Sequence, residues 1–233
     1  MSPGGSRLRS EVGEGGTRVI YRGAEADLLR GRWCGLDAVF KFRRPFEYRL
    51  KLLDDAIRRQ RTAREAEMIH DAKRSGARTP LLYFVDPANA LIVMQWMKGR
   101  RLKEAVSSLP LEELERVFAE LGGEVARLHA SGIMHGDLTT SNVLLDNVDD
   151  KSNDKELTLI DFGLAIRTTR LEDRAVDLRL AKETLTGAHS EVASKAYAAL
   201  LEGYGGEVGP GEVRDVTRQV AEIERRGRYA RVE

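Results

Sequence analysis

Short apolar runs alternate with polar, glycine-containing segments over the first part of the chain, a pattern that predicts a small antiparallel sheet. Residues 19–21, 26–29 and 38–42 are three such runs and predict three strands. Pro45 is expected to end this part of the sheet, because proline lacks the N–H that a strand ladder needs. Turns are predicted at the glycines Gly23, Gly31 and Gly35.

One helix and one hairpin complete the pattern of the first hundred residues. Residues 50–74 carry apolar positions at helical spacing among many charges, so they predict a helix. Residues 81–86 and 91–96 are apolar runs on either side of P-A-N-A and predict a β-hairpin. The predicted order is three strands, a helix and two strands.

The pattern becomes helical after Gly99. Between residues 114 and 128, apolar residues recur every three or four positions, which predicts a helix with one buried stripe. Pro110 suits the first turn of this helix, and the helix is expected to stop at 129–132.

A second hairpin and more helix are predicted downstream. Residues 143–146 and 157–161 form the hairpin, and the charged insert between them is expected at a solvated tip. Helix is predicted again over 171–204 and 212–226, with Gly227 as the stop.

These elements predict an α+β chain with a small β-rich lobe followed by a helical lobe, and a boundary at 97–101. The many glycines and few apolar residues of 1–17 predict a disordered tail. The lobes are expected over 18–98 and 99–226, followed by a basic C-terminal tail at 227–233.

Composition excludes several classes of protein. Lys plus Arg number 38 and Asp plus Glu 37, so a net charge of +1 does not indicate a nucleic-acid binder. The single cysteine, Cys34, excludes an internal disulfide framework and fits a cytoplasmic protein in a reducing cytosol. The longest apolar run, residues 90–94, is far shorter than a membrane span, so no membrane association is expected.

The sequence H-G-D-L-T-T-S-N at 135–142 places Asp137 and Asn142 on a predicted connection between helix and hairpin. Taken alone, this stretch also fits a simple polar connection. A third oxygen-bearing residue, Asp161, ends the second hairpin in I-D-F-G, so the hairpin would bring all three side chains together. Hard oxygen ligands suit Mg²⁺, which takes one or two protein groups together with phosphate oxygens.

Lys41 lies on the third predicted strand and Glu65 on the helix that follows. A lysine oriented by a helix acid binds phosphates as a point charge. Glu67 is a competing acid, and the position of Glu65 in R-E-A favours Glu65.

Together these motifs resemble the protein-kinase superfamily. H-G-D-L-T-T-S-N resembles its catalytic loop, I-D-F-G its metal-binding motif and V-F-K its nucleotide-lysine strand. Each match is weak by itself, but the three occur in order on the expected elements. The chain departs from typical protein kinases at 21–26, where a glycine-rich loop is usual, and at Thr139, where a lysine is usual. No A-P-E follows the metal motif, and only 72 residues follow Asp161.

In these departures the chain resembles the PRPK family, the small atypical kinases of the KEOPS complex, which are related to RIO kinases. The segments R-T-A-R-E-A at 61–66 and E-D-R-A-V-D-L at 172–178 also carry the resemblance, which extends from Ile20 onward. It implies a protein-kinase-like two-lobe fold with a reduced helical lobe, and an Mg-ATP-dependent serine/threonine kinase or ATPase. It further implies a role in making threonylcarbamoyl-adenosine in tRNA, with an ASKHA-fold transferase subunit, other KEOPS subunits and tRNA as partners.

The resemblance also assigns roles to residues. Asp137 corresponds to the catalytic base, Asn142 and Asp161 to the metal ligands, and Lys41 and Glu65 to the ion pair of the ATP site. The other ATP contacts that it implies are the turn residues Gly23, Ala24, Glu25 and Ala26, the adenine neighbours Ile20, Leu28 and Val39, the gatekeeper Met94, the backbones of Gln95 and Met97, and Leu144 as the floor of the pocket.

Two residues near the motifs have competing interpretations. Asp177 in A-V-D-L is either a solvated helix residue or the acceptor of backbone hydrogen bonds from 135–137, and we prefer the second interpretation. His135 is expected to pack and bond locally and not to act as a base. The absence of a cysteine or histidine cluster gives no support to a zinc site.

Two other functions remain open on the sequence. A small-molecule phosphotransferase of the aminoglycoside-kinase type also carries H-G-D followed by Asn, but it needs a helical substrate pocket after Asp161. A pseudokinase scaffold is the non-enzymatic alternative, and it is disfavoured by the retention of Lys41, Asp137, Asn142 and Asp161.

The tail sequence E-R-R-G-R-Y-A-R-V-E crowds four arginines at the end of the chain, Arg225, Arg226, Arg228 and Arg231. Cations suit the C-terminus of a helix, so the tail fits a solvated helix end. It also fits a mobile segment that offers arginines to the phosphates of tRNA or of a nucleotide, and the family resemblance, which links the basic tail to tRNA, favours this second interpretation.

Overall fold

The computed structural model describes residues 16–146 and 156–229 and divides the chain into two compact units. Unit 1 comprises Met1–His70 and Pro80–Met97, and unit 2 comprises Asp71–Thr79 and Lys98–Glu233. Among the described residues, no helix is both long and apolar enough to cross a membrane.

Unit 1 is built on a five-stranded antiparallel sheet in the order β1-β2-β3-β5-β4. One long helix, α1, follows the third strand and extends into unit 2. The predicted order of three strands, a helix and a hairpin is confirmed. The elements are β1 Arg18–Arg22, β2 Ala26–Trp33, β3 Leu36–Arg43, α1 Lys51–Arg74, β4 Leu82–Asp86 and β5 Leu91–Gln95.

The turn predicted at Gly31 is wrong, because Gly31 lies inside β2 and pairs with Ala38 of β3. A Cβ atom at Gly31 would come within 2.6 Å of the Thr17 methyl group and 3.1 Å of the Phe40 ring, so the glycine makes room for packing. The β2–β3 turn lies at Cys34 and Gly35 instead, both with positive φ, as a tight two-residue hairpin requires.

Alternation along β3 separates a core face from a polar face. Ala38 and Phe40 are buried in a hydrophobic cluster with Leu91 and Val93 of β5. Val39, Lys41 and Arg43 alternate with these core residues and project from the opposite face.

Unit 2 is mainly helical, with a two-stranded sheet β10-β7 and a three-stranded sheet β6-β8-β9. The second hairpin, now β8 and β9, is antiparallel as predicted. Residues 147–155 of the charged insert lie outside the described residues. The elements are β6 Arg100–Arg101, α2 Leu102–Ala105, α3 Leu111–Ala130, β7 Ile133–Met134, β8 Val143–Leu145, β9 Leu157–Leu159, β10 Ile166–Arg167, α4 Leu171–Ala188, α5 Ala193–Val208 and α6 Pro210–Tyr229.

Helix α3 packs closely against α5 and forms the centre of unit 2. A Cβ at Gly122 would collide with the Leu200 carbonyl oxygen, and one at Gly203 with the Ala119 carbonyl oxygen, so two glycines allow the helix backbones to approach. The predicted stripe is confirmed, since its members are all buried: Leu114, Val117, Phe118, Leu121, Val125 and Leu128.

The helical predictions after residue 171 need two corrections. The stretch 171–204 is two helices, because α4 ends at Ala188 and α5 begins at Ala193. Gly227 does not stop the last helix, which continues to Tyr229. A glycine inside a helix costs only about 1 kcal/mol, whereas the left-handed φ of a stop is found at Gly209, between α5 and α6. Residues 1–15 and 230–233, which include most of the predicted N-terminal tail and Arg231, lie outside the described residues.

Candidate active site

Unit 1 brings Lys41 of β3 and Glu65 of α1 together, as the sequence predicts. The Lys41 ammonium donates to Glu65 Oε1 at 2.6 Å, and the Glu65 side chain is only 1% exposed. Glu67, the competing acid, is exposed. A charged lysine in such a site requires a carboxylate partner, and Glu65 provides it.

The strand register shows which residues share the face that carries Lys41. Lys41 pairs with Leu28 of β2, and Val39 pairs with Met94 of β5. Residues directly opposite each other in an antiparallel pair project from the same face, so these four side chains lie together. Ile20 sits at the irregularity between Val19 and Tyr21 in β1.

The β1–β2 turn is short and held by hydrogen bonds, in place of a glycine-rich loop. The Gly23 N–H donates to the Ala26 carbonyl at 2.9 Å, with Ala24 and Glu25 between them. The Glu25 carboxylate accepts from Arg61 Nη1 at 2.6 Å. This hydrogen bond, opposed by partial burial and aided by nearby arginines, lowers the pKa of Glu25 below its usual value.

The expectation that the Gln95 backbone bonds an adenine edge must be narrowed. The Gln95 N–H donates to the Leu81 carbonyl at 2.8 Å within the sheet, which leaves only the Gln95 carbonyl for a ligand. Met97 follows β5 and is half-buried.

In unit 2, Asp177 of α4 holds the loop at 135–142 in place through hydrogen bonds. Its carboxylate accepts the His135 N–H at 2.6 Å and the Gly136 N–H at 2.9 Å. Asp177 is fully buried, so it is not a solvated helix residue, and the backbone-acceptor interpretation is confirmed. Gly136 has φ +79°, and a Cβ there would collide with the Leu164 carbonyl, so this bend requires glycine.

Asn142 holds Asp137 in this loop. Asn142 Nδ2 donates to Asp137 Oδ2 at 2.7 Å and to the Asp137 carbonyl at 3.0 Å. The amide nitrogen is thus engaged by Asp137, and Oδ1 is the Asn142 atom suited to a cation.

Asp161 is connected to the same loop through its neighbour. The Ile160 N–H donates to the Asn142 carbonyl at 2.9 Å, and His135 Nε2 lies 3.2 Å from the Ile160 carbonyl. The His135 ring also packs on Phe162 at 4.7 Å, so its predicted local role is confirmed. Asp161 itself has φ +64°, a left-handed conformation that is uncommon for a non-glycine residue and concentrates at functional sites.

The donors near this loop suit Mg²⁺. The Asn142 Oδ1 atom and the Asp161 carboxylate are hard oxygen donors, two being the number of protein ligands that Mg²⁺ commonly takes beside phosphate oxygens. Within residues 16–146 and 156–229, no group of three His, Cys, Asp or Glu side chains is placed to hold a metal. Leu144, the predicted pocket floor, is half-buried in β8 between Arg101 and Thr158.

Sequence reasoning missed three residues that support these groups. Arg43 donates to the same Glu65 carboxylate as Lys41. His129 Nε2 lies 3.3 Å from Asp177 Oδ2, and its Nδ1 lies 3.1 Å from the Tyr204 hydroxyl. Burial raises the pKa of Tyr204 to about 12, so it is a neutral phenol here. For Arg43, the sequence signal was the K-F-R spacing, which puts Lys41 and Arg43 on the same strand face.

The fold and the paired motifs define a protein-kinase domain, and residues 48–199 match the family described as protein kinase domain. The KEOPS complex subunit Bud32 of Pyrococcus abyssi is 35% identical over 91% of this chain and 96% of its own length. The EKC/KEOPS complex subunit bud32 of Dictyostelium discoideum is 31% identical over 90% of the chain and 82% of its own length. The chain therefore belongs to the Bud32 family of protein kinases.

Longer relatives also match. A probable bifunctional tRNA threonylcarbamoyladenosine biosynthesis protein of Methanobrevibacter smithii is 37% identical over 91% of this chain. The chain spans 36% of the length of that relative, about a third.

Solved structures support the fold alone. A Rio2 kinase–ADP/Mg²⁺–phosphoaspartate complex from Chaetomium thermophilum has a TM-score of 0.66 and 17% identity, covering 96% of this chain and 74% of its own. WaaP in complex with acyl carrier protein has a TM-score of 0.66 and 18% identity, covering 98% of this chain and 97% of its own. The predicted protein-kinase-like α+β fold is confirmed.

Proposed function

We propose that the chain is an Mg-ATP-dependent atypical kinase or ATPase that acts in the cytoplasm as a subunit of a KEOPS complex. The observation that carries the proposal is the Asn142–Asp137 contact in a loop fixed by buried Asp177, because a scaffold without catalysis has no need of it. The named KEOPS relatives support the assignment to that complex.

Unit 1 supplies the nucleotide contacts in this proposal. Lys41, oriented by Glu65, offsets phosphate charge, and the side chains that share its sheet face contact the base. Gln95 contributes its carbonyl, with Met97 beside it. The remaining contacts come from Ile20 and the turn from Gly23 to Ala26.

Unit 2 supplies the catalytic groups. Asp137 accepts the proton of the attacking hydroxyl or water and orients it, while Asn142 keeps the Asp137 carboxylate in place. Asn142 Oδ1 and Asp161 would hold Mg²⁺, which when bound neutralises charge on the phosphates. Phosphoryl transfer asks little covalent work of the protein, so positioning of these groups accounts for the activity.

The partners follow from the family. We take the main partner to be the ASKHA-fold transferase subunit that makes threonylcarbamoyl-adenosine in tRNA, with the other KEOPS subunits and tRNA in the same assembly. The names of the longer relatives, which refer to this tRNA modification, support that choice. ATP turnover by the chain would then regulate the transferase.

The test is an Mg-dependent ATPase assay with and without the purified transferase subunit. We expect slow turnover alone and a change of rate on addition of the partner. Absence of Mg-ATP turnover in both mixtures would contradict the proposal and favour a pseudokinase scaffold. Rapid phosphorylation of small aminoglycoside-type acceptors, with no effect of the partner, would favour the small-molecule phosphotransferase.

A further inference from the structure

Arg43 connects three parts of unit 1 through one guanidinium group. It lies two residues after Lys41 on β3 and therefore on the same sheet face. Arg43 Nη2 donates to Glu65 Oε2, while Lys41 uses the other oxygen, Oε1. Arg43 Nη1 lies 3.4 Å from Glu25 Oε2 in the β1–β2 turn, where Arg61 of α1 also donates.

The two ends of this network differ in strength. The side chains of Arg43 and Glu65 are 6% and 1% exposed, so separating them would leave a buried charge without its partner. The Glu25 side chain is 50% exposed, so its ion pairs are screened by water and salt. The Arg43–Glu65 contact is therefore the strong link, and the Glu25 contact is a weak extension to the turn.

A shared carboxylate has a consequence for a lysine that must bind phosphate. If Glu65 had Lys41 as its sole cation, a movement of the ammonium toward a phosphate would leave a buried carboxylate undercompensated. Arg43 pairs with Glu65 Oε2, so its guanidinium would keep this carboxylate compensated during such a movement. A planar guanidinium suits this task because its two terminal nitrogens reach two carboxylates at once.

We propose that Arg43 is a positioning residue, which keeps Glu65 and helix α1 in place for Lys41 and links the β1–β2 turn to them. The proposal rests on the nucleotide-binding function proposed above for Lys41. Arg43 acts through Glu65 and does not itself contact the nucleotide.

The first test compares Arg43→Met with Arg44→Met. Arg44 is the adjacent residue, and its half-exposed side chain pairs with Asp27 outside the network, so it is a matched control. We expect Arg43→Met to weaken Mg-ATP affinity about 10- to 100-fold, the loss that a small misplacement of a binding group causes. Arg44→Met should leave the affinity unchanged, and Arg43→Lys should restore part of it. Equal losses in both variants would overturn the proposal.

A double-mutant cycle separates positioning from direct binding. With Lys41→Met in the background, Arg43→Met should change Mg-ATP affinity little further, because its effect passes through Glu65 and Lys41. Additive losses would make Arg43 a phosphate ligand and would overturn the positioning role.

Hydrogen exchange of the nucleotide-free chain gives a result that does not depend on ATP binding. We expect Arg43→Met to speed exchange of α1 amides around Glu65, and Glu25→Gln to speed exchange at Gly23. Glu25 is half-exposed, so this second variant folds even if Arg43→Met does not. Failure of the wild-type chain to bind Mg-ATP would overturn the proposed function, whereas unchanged exchange in the two variants would overturn the network.

Discussion

The two units hold their candidate functional groups by different physical means. In unit 1, Lys41 is positioned by ion pairs between side chains, one of which extends to a half-exposed glutamate. In unit 2, Asp137 lies in a loop whose backbone N–H groups are bound by a fully buried carboxylate. Ion pairs near the surface respond to salt and pH, whereas a buried acceptor responds mainly to its removal. The comparison teaches that only the half-exposed Glu25 contact of unit 1 should respond to salt and pH, whereas the buried Lys41–Glu65 pair should respond, like the loop in unit 2, mainly to the loss of a partner.

The largest effects are expected from substituting the central candidate residue of each unit, Asp137 in unit 2 and Lys41 in unit 1. Asp137→Asn should keep nucleotide affinity but lower turnover by about 10²–10⁴-fold, because it removes the base and keeps the shape. Lys41→Ala should instead weaken nucleotide binding by about 2 kcal/mol, since it removes a charged hydrogen-bond donor to the phosphates. Titration with Mg-ATP and single-turnover kinetics measure the two effects. Loss of binding in Asp137→Asn would make Asp137 a structural or metal-binding group.

Asp161→Ala tests the metal assignment within unit 2. It should lower turnover by about 10²–10³-fold, the usual cost of removing charge stabilisation from the transferring group. Asp146→Ala serves as control, because Asp146 directly follows β8 and lies outside the I-D-F-G motif. Measurement of turnover against Mg²⁺ concentration decides, and unchanged turnover in Asp161→Ala would contradict the assignment.

Asp177→Asn probes the buried acceptor. The substitution replaces one carboxylate oxygen by an NH2 group, which cannot accept, so either the His135 or the Gly136 backbone N–H loses its partner. We expect a loss of about 1–3 kcal/mol in the free energy of unfolding. Asp173→Asn, one turn earlier on the same helix, lacks these contacts and is the matched control. Denaturant unfolding of both variants measures the difference.

The smallest effect concerns Glu25, whose pKa is lowered chiefly by the Arg61 hydrogen bond. A lowered folded-state pKa means that its stabilisation is present above the ordinary carboxyl pKa and is lost as pH falls through the folded value. Because the pair is half-exposed, we expect only about 0.2–1 kcal/mol. Thermal unfolding between pH 3 and 6 should show this loss in the wild-type chain and less of it in Glu25→Gln. Parallel pH profiles would show that the contact contributes nothing measurable.

Much of the fold followed from periodicity, because both lobes have clear apolar patterns. The pairing of Lys41 with Glu65 was implied by the resemblance to the protein-kinase superfamily, once the strand and the helix that carry them had been placed. The turn prediction at Gly31 was wrong because the sequence does not distinguish a glycine that makes room for Phe40 from a glycine in a turn. The helix end predicted at Gly227 was wrong for a related reason, since the end of a helix depends on the backbone φ and not on residue type alone.

Long-range polar contacts were harder to predict. The K-F-R spacing places Arg43 on the strand face of Lys41, but it does not show that Arg43 reaches Glu65 of the following helix. His129 and Tyr204 are 75 residues apart and meet only through the packing of α3 on α5. No local pattern distinguishes such partners from ordinary core residues.

The left-handed backbone at Asp161 has a consequence for how this position can change over time. Glycine adopts this conformation without cost, whereas a residue with a Cβ atom is disfavoured by about 1–2 kcal/mol. Glycine at this position would therefore relieve the backbone but lack the carboxylate, which also accepts the Gly163 N–H at 3.3 Å. The backbone here does not itself call for aspartate, so what aspartate adds at this position is its carboxylate.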